Sequence, residues 1–156
     1  MTELDADLDL IRQAAIDAGA LAVAEREAGL KIESKAGGSP VTSGDLAVDA
    51  MLKDRLLAAR PDYGWLSEET ADSPDRLSRR RIFVVDPVDG TVAYMKRQPW
   101  WCTPIAVVED GQVVAAVADL PLEHAAPGFR RRRAGERFGP DDIEHFSRQR
   151  SERGVA

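Results

Sequence analysis

The sequence predicts an α+β fold, two helices packed on a largely antiparallel sheet, and three features of the chain carry that expectation. Leu4, Leu8, Ile11, Ala15, Ala18, Leu21 and Ala22 recur at helical spacing with charged residues between them. Asp110-Gly111 separates the apolar runs Ile105–Val108 and Val113–Val117, and Asp-Gly supplies the positive φ angles of a type I′ hairpin turn. Ile82-Phe83-Val84-Val85 is an apolar run of β-branched and aromatic residues that reads as a buried strand.

Taken in order, the first helix is expected from about Ala6 to Glu27, with Gly29 ending it. Lys31 to Lys35 alternates polar and apolar residues and reads as a short strand, followed by a loop through Gly37, Gly38 and Pro40 that could close over a site. Thr42 or Ser43 caps a second helix whose apolar positions are Leu46, Ala50, Met51 and Leu57, and Asp45 falls in its first turn, where a carboxylate suits the dipole. Pro61 to Gly64 breaks that helix, Trp65-Leu66 starts a brief strand ending at Ser67-Glu68-Glu69, and Thr70 to Arg81 reads as a solvated loop. After Thr91 a short helix is expected to run to Met95 or Lys96. Trp100 and Trp101 are expected to pack in the core or at its rim and to lead into the hairpin.

Length and composition narrow the function. A chain of 156 residues is one domain's worth, and 44% hydrophobic with 31% charged residues is a globular composition. A net charge of −6 argues against general nucleic-acid binding. Cys102 is the only cysteine, which excludes an intramolecular disulfide and fits a reducing cytoplasm. Met1 to Asp9 is acidic and lacks the basic and apolar regions of a signal peptide, and no apolar run approaches the ~20 residues that span a bilayer. The expectation is a soluble cytoplasmic protein with no nucleic-acid and no membrane partner.

Chemistry concentrates in Asp86-Pro87-Val88-Asp89-Gly90-Thr91. The strand delivers Asp86 to its C-terminal end, Pro87 forces a turn, and Asp89 is brought round toward Asp86. Two carboxylates about 4 Å apart repel by roughly 1–4 kcal/mol, depending on the effective dielectric, so a positive group must offset them. Hard divalent cations take oxygen ligands, and Mg2+ keeps several waters while using one or two carboxylates plus substrate phosphate oxygens. A helix starting after Thr91 offers N–H groups to an anion. Metal-assisted phosphate-ester hydrolysis is the reaction class these residues suggest.

At these positions the chain resembles the inositol monophosphatase family of Mg2+-dependent, lithium-sensitive phosphatases. Besides Asp86 to Thr91, the resemblance rests on Lys35 with Ser39-Pro40-Val41-Thr42 and Asp45, on Gly64 to Glu69, and on Pro99-Trp100 followed by the strand pair, all in the family's order. It implies a layered helix and sheet sugar-phosphatase fold, of which this would be the N-terminal domain. By the same resemblance Glu68 bridges metals and, with Thr91, holds the attacking water, while Asp86 also bridges. Asp89 holds the second ion and the Val88 carbonyl completes the first. Gly90 and Thr91 N–H groups, with Asp89, take the phosphate. Asp45 positions Thr91, Glu69 stands behind the ligands, and Lys35 approaches on its loop. Asp45 also has a sufficient reason to be there as a helix-start residue, and both roles stay open. The resemblance implies a small phosphorylated substrate, such as an inositol phosphate, a 3′-phosphonucleotide or histidinol phosphate, and is compatible with a homodimer. Ala93-Tyr94 and Arg97 depart from the family's commoner residues, which leaves the substrate open.

The resemblance ends near Pro121. Arg130 to Arg133 and a polar run follow, so residues 1–122 are expected to form the inositol monophosphatase-like domain and 123–156 an Arg-rich, poorly ordered tail. Family members carry a later Trp-Asp motif whose Asp binds the second metal, and none is identifiable here. A truncated or frame-shifted member is therefore expected, with either Mg2+-dependent phosphatase activity or an inactive metal- and phosphate-binding fragment as its function. A subunit that pairs with a separately encoded partner is a third reading.

Overall fold

The computed structural model describes residues 1–121; the tail expected over 123–156 and its boundary lie outside the described residues. Helix α1 (Glu3–Ala28) starts earlier than expected because Thr2 and Asp5 form a reciprocal capping box, with N–H to side-chain oxygen distances of 2.8 and 3.1 Å. Its buried stripe is Ile11, Ala14, Ala15, Ala18 and Ala22, small residues that let neighbouring elements approach closely. Leu4, expected on that stripe, is exposed, and the first inward position is the carboxylate of Asp7.

Strands β1 (Ile32–Ser34) and β2 (Pro40–Thr42) form a small antiparallel ribbon, closed by a turn in which the Lys35 N–H donates to Ser39 O at 2.8 Å. Helix α2 (Ser43–Ala59) follows without a break. Thr42 and Asp45 make a second capping box, the Asp45 N–H donating to Thr42 Oγ1 at 3.2 Å and the Thr42 N–H to Asp45 Oδ2 at 2.8 Å. Its inner face is Val48, Leu52 and Leu56 together with Asp45 and Asp49. The expected apolar face is corrected in part: Leu46 is 47% exposed and Ala50 is exposed, while Met51 and Leu57 are half-buried against the core. Two buried aspartates with partners displace the apolar pattern by one helix position.

The second sheet has the order β3 (Gly64–Ser67), β4 (Arg81–Val85), β5 (Thr103–Glu109), β6 (Gln112–Asp119). It is antiparallel except for β3 and β4, which run parallel. Asp110 and Gly111, with φ of 50° and 80°, turn β5 into β6 as the Asp-Gly signal predicts. Phe83, Val85, Ile105 and Val107 line the inner face, against which α1 packs on β5 and β6 while α2 packs on β3. A short 3-10 turn (Pro74–Ser78) and helix α3 (Thr91–Met95) complete the described chain.

The loop expected over Thr70–Arg81 needs correction at its end. Arg81 opens β4 and is buried, its Nη1 donating to Tyr63 Oη at 2.8 Å and pairing with Asp7 at 3.3 Å and Glu3 at 3.0 Å, while Nη2 reaches Glu109 at 3.5 Å. Asp7, fully buried, also accepts from Tyr63 Oη at 2.7 Å and Arg60 Nε at 2.8 Å. This network ties the first turn of α1 to the sheet, and a buried guanidinium is tolerated only because carboxylates surround it. Asp7→Ala is expected to cost about 3 kcal/mol, the low end for breaking a buried ion pair because Glu3 and Glu109 remain; urea unfolding measures it, and a loss below about 1 kcal/mol would contradict the assigned role.

Candidate functional site

Parallel pairing of β3 with β4 sets Ser67 opposite Val85, so the next residues, Glu68 and Asp86, leave the sheet side by side. Their strands stop there for local reasons. The Asp86 N–H still reaches Pro104 O at 3.2 Å, but Pro87 has no N–H to continue the ladder and its carbonyl instead accepts the Thr103 hydroxyl at 2.8 Å. Asp89 then returns to the sheet, exchanging backbone hydrogen bonds of 2.8 and 3.0 Å with Cys102. Residues 86–89 are thus an arch pinned at both ends. Gly90 follows at φ 92°, where a Cβ would be strained and would lie 2.9 Å from the Trp100 carbonyl oxygen.

Thr91 begins α3, and its hydroxyl lies 3.2 Å from both Asp45 Oδ1 and Val88 O; with one proton it donates to one of them at a time. Asp45 therefore uses Oδ2 to cap α2 and offers Oδ1 to Thr91, so both roles weighed for it from the sequence coexist in one carboxylate. Lys35 arrives from the turn between β1 and β2, its Nζ 2.6 Å from Glu69 Oε1. The Glu69 side chain is nearly buried, whereas Glu68 is exposed to the space in front of the arch.

Charge around this space is unbalanced. Asp86 is pushed up to about 7, first by burial and then by the negative charges of Glu68 and Asp89, with Asp45 adding to them and the Val88 N–H acting the other way. Burial opposes the charge on Lys35, yet its hydrogen bond to Glu69 and attraction to Glu69, Glu68 and Asp45 outweigh that and raise its pKa. Burial, with Asp89 and Asp86 nearby, pushes the Cys102 thiol up to about 12, which removes it as a nucleophile. Among the described residues no three His, Cys, Asp or Glu side chains close on one ion position. The carboxylates of Glu68, Asp86 and Asp89, near enough for Glu68 and Asp89 to raise the pKa of Asp86, are hard oxygen donors of the kind that suit a divalent ion keeping part of its water shell.

The sequence reading passed over Asp49. It is buried in α2 and accepts hydrogen bonds from the hydroxyls of Ser67 and Thr70, which bracket Glu68 and Glu69. The one signal available was its spacing, four residues beyond Asp45 and so on the same helix face.

Residues 3–138 match the model of the inositol monophosphatase family. A glucose-1-phosphate thymidylyltransferase of Streptomyces griseus is 35% identical over 80% of this chain and 48% of its own length. The 3'(2'),5'-bisphosphate nucleotidase CysQ of Escherichia coli K12 is 34% identical over 74% of this chain and 48% of its own. The solved structure of the extragenic suppressor protein suhB from Bartonella henselae superposes with a TM-score of 0.68 at 29% identity, covering 75% of this chain and 46% of that one. The chain spans about half the length of the curated relatives it matches.

With divalent ions chelated, folded Asp86 holds its proton to about pH 7, while the unfolded chain releases it near 3.8. The folded state then binds more protons across that window, so this group's contribution to stability falls as pH rises from about 4 to 7. Asp86→Asn removes the liability, and thermal unfolding in EDTA should show the variant gaining on wild type between pH 5 and pH 7.5. An equal difference at both values would contradict the electrostatic picture.

Proposed function

The chain belongs to the inositol monophosphatase family, and from that premise we propose that it is a cytoplasmic, Mg2+-dependent phosphomonoesterase acting on a small phosphate ester. The observation that carries the proposal is the enforced meeting of Glu68 and Asp86 at the ends of two parallel strands, where negative charge exceeds what Lys35 offsets. Glu68, Asp86 and the Val88 carbonyl would hold a first Mg2+, and Asp89 a second. Bound there, the cation would lower the pKa of water and neutralise charge developing on the phosphoryl oxygens.

The residues of the chain supply orientation. Thr91 donates its proton toward Asp45, which leaves its oxygen lone pairs to accept from the attacking water, while the Glu68 carboxylate accepts the other proton and fixes the line of approach to phosphorus. N–H groups of Gly90 and Thr91 hold the phosphate, and Asp89 would keep the second ion beside it. Asp86, carrying a proton near neutral pH in the metal-free protein, must give it up on loading, so metal affinity rises with pH. Lys35 guards the acidic mouth through Glu69.

The names of the phosphatase relatives support a nucleotide, histidinol or inositol phosphate ester as the substrate class, whereas the thymidylyltransferase's name is that of a nucleotidyl transfer and supports no hydrolysed ester. A second reading, a metal- and phosphate-binding module without turnover, is favoured by one observation: among the described residues no three His, Cys, Asp or Glu side chains close on one ion position.

Purified chain is expected to release phosphate from at least one of these esters with Mg2+ and to slow when Li+ is added. Thr91→Ala should lower kcat by about 10²-fold or more while Thr91→Ser retains most of it. Calorimetry separates the readings: two Mg2+ sites with turnover support the enzyme, and one weak site with no release at high protein concentration supports the binding module.

A further inference from the structure

We infer that Asp49 is a positioning residue of the site, fixing the turn that carries Glu68 and Glu69; the inference rests on the reading of the site given above. Asp49 stands one turn beyond Asp45 on the inner face of α2, at a position where the neighbouring inward residues, Val48, Leu52 and Leu56, are apolar. A carboxylate there is costly unless every lone pair it brings into the core is used.

It is used. Oδ1 accepts the Ser67 hydroxyl and Oδ2 accepts the Thr70 hydroxyl. Each hydroxyl then accepts in turn, Ser67 Oγ from the Glu69 N–H at 3.3 Å and Thr70 Oγ1 from the Trp65 indole N–H at 3.3 Å. Because an ionised carboxylate only accepts, it fixes both hydroxyl protons toward Asp49 and leaves the hydroxyl lone pairs to the two N–H donors. The two ends of the turn are clamped to α2, and the two residues between them are Glu68 and Glu69. Asp45 meanwhile holds Thr91 from the same helix face. One helix, through two aspartates four residues apart, therefore sets the spacing between the strand-β3 half of the site and the strand-β4 half. An Asn at 49 offers one accepting oxygen and one donating nitrogen, so the hydroxyl of either Ser67 or Thr70 must turn its proton away from position 49 and accept from the new amide beside its bond from Glu69 or Trp65, which leaves that proton without its carboxylate partner and loosens the clamp.

The test uses Asp49→Asn, Thr70→Val and Thr70→Ser in the full chain, with two readouts. Mn2+ affinity is measured by calorimetry, and amide exchange at Glu69 is followed by NMR in metal-free buffer with the α1 amides as the folding control. Asp49→Asn and Thr70→Val are expected to weaken Mn2+ binding about 10–100-fold, the usual effect of removing a partner behind a metal ligand, and to speed Glu69 exchange while α1 stays protected. Thr70→Ser keeps the hydroxyl and should match wild type in both. Wild-type Mn2+ affinity and wild-type Glu69 exchange in Asp49→Asn would overturn the inference. If Asp49→Asn loses α1 protection as well, the Thr70 pair decides: Thr70→Val indistinguishable from Thr70→Ser overturns it. If the wild-type chain binds no Mn2+ while Glu69 exchange quickens in Asp49→Asn and Thr70→Val, the clamp stands and the metal reading falls.

Discussion

A single parallel strand pair in an otherwise antiparallel sheet sets the character of this protein. Had β3 run antiparallel to β4, as β5 does, Glu68 would emerge at the opposite end of the sheet from Asp86. Running parallel, the two strands end together and deliver two carboxylates to one place, and the arch over Pro87 brings Asp89 to the same side. The negative charges of Glu68 and Asp89 make Asp86 harder to ionise. Burial first, and then that repulsion, push Asp86 up to about 7, a condition that a divalent cation would relieve.

Rigidity around the arch comes from its neighbours. The core of α1, α2 and the sheet includes Leu52, Leu56, Phe83 and Ile105, all almost completely buried, and each such side chain contributes roughly 1.5–3 kcal/mol by leaving water. Trp101 and Tyr94, packed edge to face at 4.9 Å, seat α3, and the Tyr94 hydroxyl donates to the Ala22 carbonyl of α1 at 2.6 Å. The result is a fixed frame on which the acidic residues have little freedom to move apart. Lys35 is the exception, since it sits on an exposed two-stranded ribbon and reaches in by one ion pair.

What could be read from the sequence was what is encoded locally. The Asp110-Gly111 turn needs only its own backbone preferences, and Asp86 to Thr91 announces a turn and a helix start within six residues. The general class, helices on a largely antiparallel sheet, followed from such signals and holds in the structure. Long-range choices were hidden. Nothing near Trp65 or Phe83 states that their strands pair in parallel, because parallel partners are joined by a crossover and share no turn. The inner face of α2 was misread for a related reason: Asp49 looks like a solvent-facing residue until Ser67 and Thr70 are brought to it by the fold. Arg81 closed a run of three arginines that reads as solvated, and only its position opposite Asp7 shows why it is buried.

The account stands on the claim that Glu68, Asp86 and the Val88 carbonyl share a hard cation. Diffraction from crystals soaked in Mn2+, recorded at a wavelength where manganese scatters anomalously, places the ion without reference to activity. The account predicts an anomalous peak between those oxygens, about 2.0–2.4 Å from each, as hard-cation coordination requires. A Mn2+ peak elsewhere on the chain, or none with the soak at saturating concentration, would contradict it.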